Sequence, residues 1–128
     1  MSKKKEFRLE FVIKSSPTIL YKFLSTPSGL AQWFADHVDQ TDKAYSFFWE
    51  GYEEKATCIE TIEDELIRYR WDDGEEDEFF EFKIEKVDIT NDTVLVVTDY
   101  AEEAEIDNQS RLWESQIKTL SIMIGGAG

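Results

Sequence analysis

Between residues 104 and 124 the strongest apolar positions fall on one helical stripe: Trp113, Ile117, Leu120 and Ile124, at i, i+4, i+7 and i+11. The apolar residues of most earlier segments obey a different rule and alternate in and out along short runs. A period of 3.6 describes one face of a helix, and a period of two describes one face of a sheet. A chain with one long stripe and many alternating runs can bury both faces by laying that helix on that sheet.

The alternating runs can be placed one by one. Phe7, Leu9, Phe11 and Ile13 oppose Glu6, Arg8, Glu10 and Lys14, with Val12 the one apolar exception, so residues 6–14 form a half-buried strand. Ser16-Pro17 then opens a helix over 17–25, with serine as cap and proline in the first turn. Thr26-Pro27 repeats that signal for a brief second helix carrying Leu30, Trp33 and Phe34, weakened by Gly29. Strands are expected next at 35–39, 44–50, 53–62, 65–71, 79–87 and 93–100. Gly51, Glu63-Asp64, Asp73-Gly74 and Asn91-Asp92 punctuate them. In the third of these, Ala56, Cys58, Glu60 and Ile62 should share a face. The helix should span 104–124 and stop at the glycine-rich tail 125–128, with Leu112 and Met123 widening its stripe. Short turns require antiparallel neighbours. The expected architecture is α+β: an antiparallel sheet of about six to seven strands, two short helices after the first strand, and one long C-terminal helix.

One domain over residues 1–128 accommodates this, since a chain of this size can bury roughly two-thirds of its unfolded surface. The 14% aromatic content, with Trp33, Trp49, Trp71 and Trp113, argues against disorder despite 33% charged residues. Fourteen basic against 28 acidic side chains leave a net charge of −14, which disfavours nucleic acid and anionic lipid as partners. With only Cys58, no intramolecular disulfide and no cysteine cluster for zinc can form. No run approaches the ~18 apolar residues of a membrane span, and the first residues lack an apolar signal core. A cytoplasmic protein is expected.

Three stretches carry a resemblance. They are Phe11-Val12-Ile13-Lys14-Ser15-Ser16-Pro17 with Leu20-Tyr21-Lys22-Phe23-Leu24; Thr26-Pro27-Ser28-Gly29-Leu30-Ala31-Gln32-Trp33-Phe34-Ala35-Asp36; and Leu66-Ile67-Arg68-Tyr69-Arg70-Trp71 paired with Leu112-Trp113. Over about residues 5–124 the chain resembles the START-like, or SRPBCC, superfamily. It is most similar to the branch related to the activator of the ninety-kilodalton heat-shock chaperone's ATPase. The resemblance implies a helix-grip fold, a curved sheet wrapped around the C-terminal helix. It implies less about function, because one fold hosts many. Relatives of this kind bind lipids, polyketides or hormones, act as aromatase/cyclases, or assist a chaperone.

The residues offer little chemistry of their own. His37, the one histidine, cannot build a multi-histidine metal site or a resolved catalytic triad, and Asp36 and Asp39 beside it read as a polar strand edge. The loop 72–78 carries six carboxylates without the ligand spacing of a calcium loop, so solvent exposure accounts for it better than a metal. Cys58 reads as a small buried hydrophobe, and Glu60 is the one carboxylate worth checking for a cyclase-type reaction. What remains is a set of side chains converging between sheet and helix: Phe47, Trp49, Cys58, Tyr69, Trp71, Phe80, Phe82, Trp113, Ile117 and Leu120. These fit either a core or an apolar ligand site, with Tyr45, Tyr69, Gln116 and the indole N–H groups as polar contacts. Three readings follow. The first is a non-enzymatic binding domain for a small hydrophobic molecule, without cofactor or metal. The second is a chaperone-associated protein-interaction module, and the third a cyclase-type enzyme.

Overall fold

The computed structural model describes residues 3–127. Strand β1 (Lys5–Ile13) leads into helices α1 (Pro17–Ser25) and α2 (Pro27–Leu30). Then come β2 (His37–Thr41), β3 (Ala44–Trp49), β4 (Tyr52–Ile62), β5 (Leu66–Trp71), β6 (Phe80–Val87) and β7 (Asp92–Ala101). A 3-10 turn (Glu103–Glu105) enters the long helix α3 (Ile106–Ala127). The seven strands make one curved, unclosed antiparallel sheet in the order β1-β7-β6-β5-β4-β3-β2. Strands β2 to β7 lie beside their sequence neighbours, as short turns demand. β1 instead pairs with β7, from Lys5 opposite Ala101 to Ile13 opposite Thr93. The α1–α2 segment therefore carries the chain from one sheet edge to the other, over the face that α3 also covers. No helix among the described residues is long and apolar enough to cross a membrane.

Local chemistry explains these boundaries. Ser16 Oγ accepts the Ile19 N–H at 3.2 Å and Thr26 Oγ1 accepts the Gly29 N–H at 3.0 Å, capping α1 and α2 as expected. Gly29 has a stronger reason to be there than propensity. A Cβ at that position would overlap Lys22 O and lie 2.6 Å from Phe23 Cα, so only glycine lets α2 fold back against the end of α1. Asp42, Gly51, Asp64 and Asn91 occupy left-handed backbone at the strand turns, where Gly, Asn and Asp are least costly.

The hairpin loop is where it was expected: residues 72–79 bridge β5 to β6, and its turn falls at Asp73-Gly74, where the Gly74 N–H donates to Trp71 O at 3.0 Å. Six carboxylates in that loop are better separated when it is long and hydrated. Several expectations change. Strand β4 carries a bulge between Cys58 and Glu60, which leaves Ile59 without a partner in the register. The extra residue reverses the faces beyond it. Ala56 and Cys58 point inward, but Glu60 pairs with Arg68 on the outer face, and Ile62 is 45% exposed. Helix α3 continues through Gly125 and Gly126 to Ala127, since glycine keeps its backbone N–H and can extend the ladder; Gly128 lies outside the described residues. Its stripe is narrower than expected. Trp113, Ile117, Leu120 and Ile124 are buried, Met123 is half-buried, and Leu112 stands exposed.

The two sheet faces divide the labour. Phe47, Tyr69, Phe80 and Phe82 are fully buried on the inner face, each contributing roughly 2–3 kcal/mol through removal from water. On the outer face Arg68 donates from Nε and Nη2 to Glu81 Oε1 at 2.8 and 2.6 Å, and its guanidinium lies 4.1 Å from the Phe79 ring centre.

Candidate functional site

The space between sheet and helix is largely filled. Phe34, just beyond α2, sits at its centre, with ring centres at 5.1 Å from Phe47, 5.7 Å from Phe80 and 5.9 Å from Trp113. Tyr69 stacks on Phe80 at 5.0 Å, and Phe82 meets Trp113 edge-on at 5.7 Å. Such tilted and offset pairs are the favoured geometries for aromatic rings and add to the energy of burial.

The polar tips of this cluster have structural duties. A helix leaves its last four carbonyls without partners. In α1 Lys22 O keeps the backbone N–H of the capping Thr26 at 3.2 Å, and the last three carbonyls find donors from elsewhere in the chain. The Thr26 hydroxyl donates to Lys22 O at 2.7 Å, and the Trp33 indole to Phe23 O at 2.8 Å. The Tyr69 hydroxyl donates to Leu24 O at 2.8 Å, and the Tyr45 hydroxyl to Ser25 O at 2.7 Å. The Trp49 indole donates to Phe34 O at 2.9 Å, with Gln116 Nε2 at 3.4 Å from the same oxygen. Tyr45 and Tyr69, considered from sequence as ligand contacts, thus anchor the end of a helix. Burial pushes the Tyr45 phenol up to about 12 and that of Tyr69 well above its usual value.

One open space lies where the first half of α3 passes over the ends of β5, β6 and β7. There a half-open cleft of about 710 Å³ is bounded by the loop 72–78, the start of β4 and the entry to α3. Phe34, Phe80 and Trp113 form its floor, and Trp49, Tyr52 and Trp71 its side. The Trp49 and Tyr52 rings stack at 5.6 Å. Among the described residues Trp71 is the one tryptophan whose indole N–H has no hydrogen-bond partner in the protein. Gln109, Leu112 and Gln116 line the helix side.

One carboxylate is set into this wall. Asp99 Oδ2 accepts the Trp113 indole N–H at 2.9 Å, and Oδ1 accepts the Tyr100 backbone N–H at 2.8 Å. Burial raises its pKa, against the pull of these two donors and of the more distant Lys4 ammonium. Such a group is in the right setting to recognise a ligand. Asp99 is legible in retrospect: Leu95 and Val97 point inward, and period two puts Asp99 on the same face.

The ten side chains expected to converge therefore separate into two groups. Trp49, Trp71, Phe80 and Trp113 line the cleft. Phe47, Cys58, Tyr69, Phe82, Ile117 and Leu120 are buried in the core away from it. Burial also raises the Cys58 thiol pKa, consistent with an inert packed thiol. Glu60, considered for a reaction, is exposed on the opposite face of the sheet, with Oε1 3.5 Å from Arg68 Nη1. His37 Nε2 lies 2.9 Å from Asp39 Oδ1 at the exposed edge strand. Among the described residues no three His, Cys, Asp or Glu side chains converge as metal ligands.

This architecture is shared. The chain is 35% identical to BfR322 from Bacteroides fragilis, whose solution structure matches with a TM-score of 0.69 over 94% of this chain and 90% of that one. The Aha1 dimer from Colwellia psychrerythraea is 17% identical, with a TM-score of 0.76 over 91% and 93% of the two chains. Protein MLL2253 from Mesorhizobium loti is 12% identical, with a TM-score of 0.79 over 97% and 99%. The latter two likenesses speak to the fold alone. A comparison with curated proteins finds no match. The model of the START-like superfamily domain matches residues 1–126, and with the helix-grip arrangement of sheet and helix this establishes that the chain belongs to the START-like superfamily.

Proposed function

We propose that the chain is a binding domain that takes a small, largely apolar molecule into the cleft beside the first half of α3, without performing chemistry on it. The observation that carries this reading is the cleft's size and lining. About 710 Å³ lies within the range of roughly 300–1,000 Å³ common to small-molecule sites, and a cluster of aromatic rings, Trp49, Tyr52, Trp71, Phe80 and Trp113, meets a charged and amide-bearing rim there. On this reading Trp49, Trp71, Phe80 and Trp113 touch the ligand. Phe47, Cys58, Tyr69, Phe82, Ile117 and Leu120 hold those four in place from behind. The cyclase alternative loses its candidate carboxylate, because the β4 bulge turns Glu60 to the outer face. Fluorescence titration with the uncharged apolar probe N-phenyl-1-naphthylamine tests the reading. Saturable one-to-one binding that weakens in Trp71→Ala supports it, and absence of saturation contradicts it.

A protein-interaction role has a specific observation in its favour: the net charge of −14 would steer a basic partner surface toward the domain. The resemblance of the three quoted stretches to the chaperone-activator branch makes a chaperone the natural partner to try. A pull-down that recovers no partner, with no change in the chaperone's ATPase rate, would dispose of this second reading.

A further inference from the structure

Resting on the cleft as a small-molecule site, we propose that it selects positively charged amphiphiles, an amine or quaternary ammonium head on an apolar body, over anionic ones such as fatty acids. Three features converge on this. The first is the balance of charge around the cleft. Glu54, Asp73, Glu78, Asp99, Glu102 and Glu105 line it, and Lys4 is the only cation among the lining residues. Six to one is well beyond the two-to-one excess of the whole chain, 28 acidic to 14 basic, so general acidity does not account for it. Lys4 is itself engaged, 3.7 Å from Glu78.

The second feature is Asp99. It is set into the wall with two neutral N–H donors, and among the described residues no lysine or arginine nitrogen lies within salt-bridge distance of it. A largely desolvated carboxylate opposed only by the more distant Lys4 ammonium is costly, and an entering cation would relieve that cost. The third is the aromatic side wall. Trp49, Tyr52 and Trp71 line the cleft, and the quadrupole of an aromatic ring attracts a cation at its face, most strongly when the cation is partly desolvated. Low-dielectric walls focus the field of the rim carboxylates into the same space. An anionic head would meet repulsion from the rim and from Asp99 together.

The test uses the whole chain and three eight-carbon probes below their micellar range: octyltrimethylammonium, octanol and octanoate, followed by calorimetry at low salt. The expected order is cation first, alcohol second and carboxylate last, with at least tenfold between the ends and a narrower gap at high salt. Asp99→Asn, which keeps a carbonyl acceptor for the Trp113 indole, should reduce the cation's preference at least threefold. Glu10→Gln, on the exposed side of β1, should leave it unchanged. If Asp99→Asn does not fold, Glu54→Gln with Glu102→Gln makes the same test from the rim. Equal affinity for all three probes would overturn the charge preference and leave an apolar site standing. Binding of none of them would overturn the site and the preference together. Equal weakening by Glu10→Gln and the cleft variants would reduce the effect to the net charge of the molecule and refute the proposal.

Discussion

The carbonyls at the end of α1 provide the sharpest energetic prediction. Tyr69 is fully buried, and its hydroxyl is the partner of Leu24 O, at 2.8 Å. In Tyr69→Phe the ring and its packing on Phe80 remain, but a buried carbonyl loses its donor where water cannot easily replace it. The cost of a stranded buried group is about 1–3 kcal/mol, and this site argues for about 2. Tyr45→Phe removes the analogous bond to Ser25 O, but that bond is only part-buried, so water can substitute and the cost should be nearer 0.5–1 kcal/mol. For a chain of this length a loss of 1 kcal/mol lowers Tm by roughly 3–5 °C. Tyr69→Phe should therefore melt about 6–10 °C below the parent and Tyr45→Phe about 2–5 °C below. Thermal unfolding followed by circular dichroism measures both, with urea denaturation as a check on the free energies. The pair also has a pH signature. The Tyr45 phenol is held at about 12 in the fold, against ~10 for an exposed tyrosine, and that of Tyr69 is raised in the same direction. A raised folded pKa gives stability that is complete below pH ~10 and lost as the pH climbs through the folded value. Alkaline unfolding should accordingly begin above pH ~10 and be less steep in both phenylalanine variants. A Tyr69→Phe protein as stable as the parent, or one less affected than Tyr45→Phe, would refute the claim that these hydroxyls cap the helix.

Gly29→Ala should destabilise by about 2 kcal/mol or more despite alanine's better helix propensity, because the added Cβ meets backbone of α1 rather than a flexible side chain; chemical denaturation tests this. Asp99→Asn should raise Tm at pH 7. Asp99 is raised in the fold, so the parent's penalty is absent below the unfolded pKa of ~3.9 and appears as the pH rises through the folded value; the gain in the variant should shrink on acidification. Phe34→Ala should cost about 3–5 kcal/mol, since it empties the centre of the aromatic cluster, and loss of near-ultraviolet dichroism should accompany it.

Where local pattern decides structure, the sequence is a good guide. The alternation of Phe7, Leu9, Phe11 and Ile13, the Ser16-Pro17 and Thr26-Pro27 caps and the Trp113 stripe all correspond to observed elements. The bulge at Ile59 was hidden because a one-residue insertion leaves no composition signal, yet it moves Glu60 and Ile62 to the other face. The candidate site was only half legible. Period two identifies which aromatics face inward, but not how far along the sheet each one sits. It therefore cannot separate Trp71 and Phe80, at the open end, from Tyr69 and Phe82 in the filled part. Phe34 was visible as an apolar helix-face residue, while its central place depends on where the α1–α2 segment crosses the sheet.

On the proposed reading, ligand enters at the open end while the interior beneath stays closed. The four indole N–H groups report on it directly in a 1H–15N correlation spectrum recorded during titration with octyltrimethylammonium, octanol or N-phenyl-1-naphthylamine. Trp71 has its indole free at the cleft, Trp49 and Trp113 line it, and Trp33 is tied to Phe23 O away from it. The largest shift is expected at Trp71, with smaller shifts at Trp49 and Trp113 and none at Trp33. A dominant shift at Trp33 with Trp71 unmoved would contradict that reading.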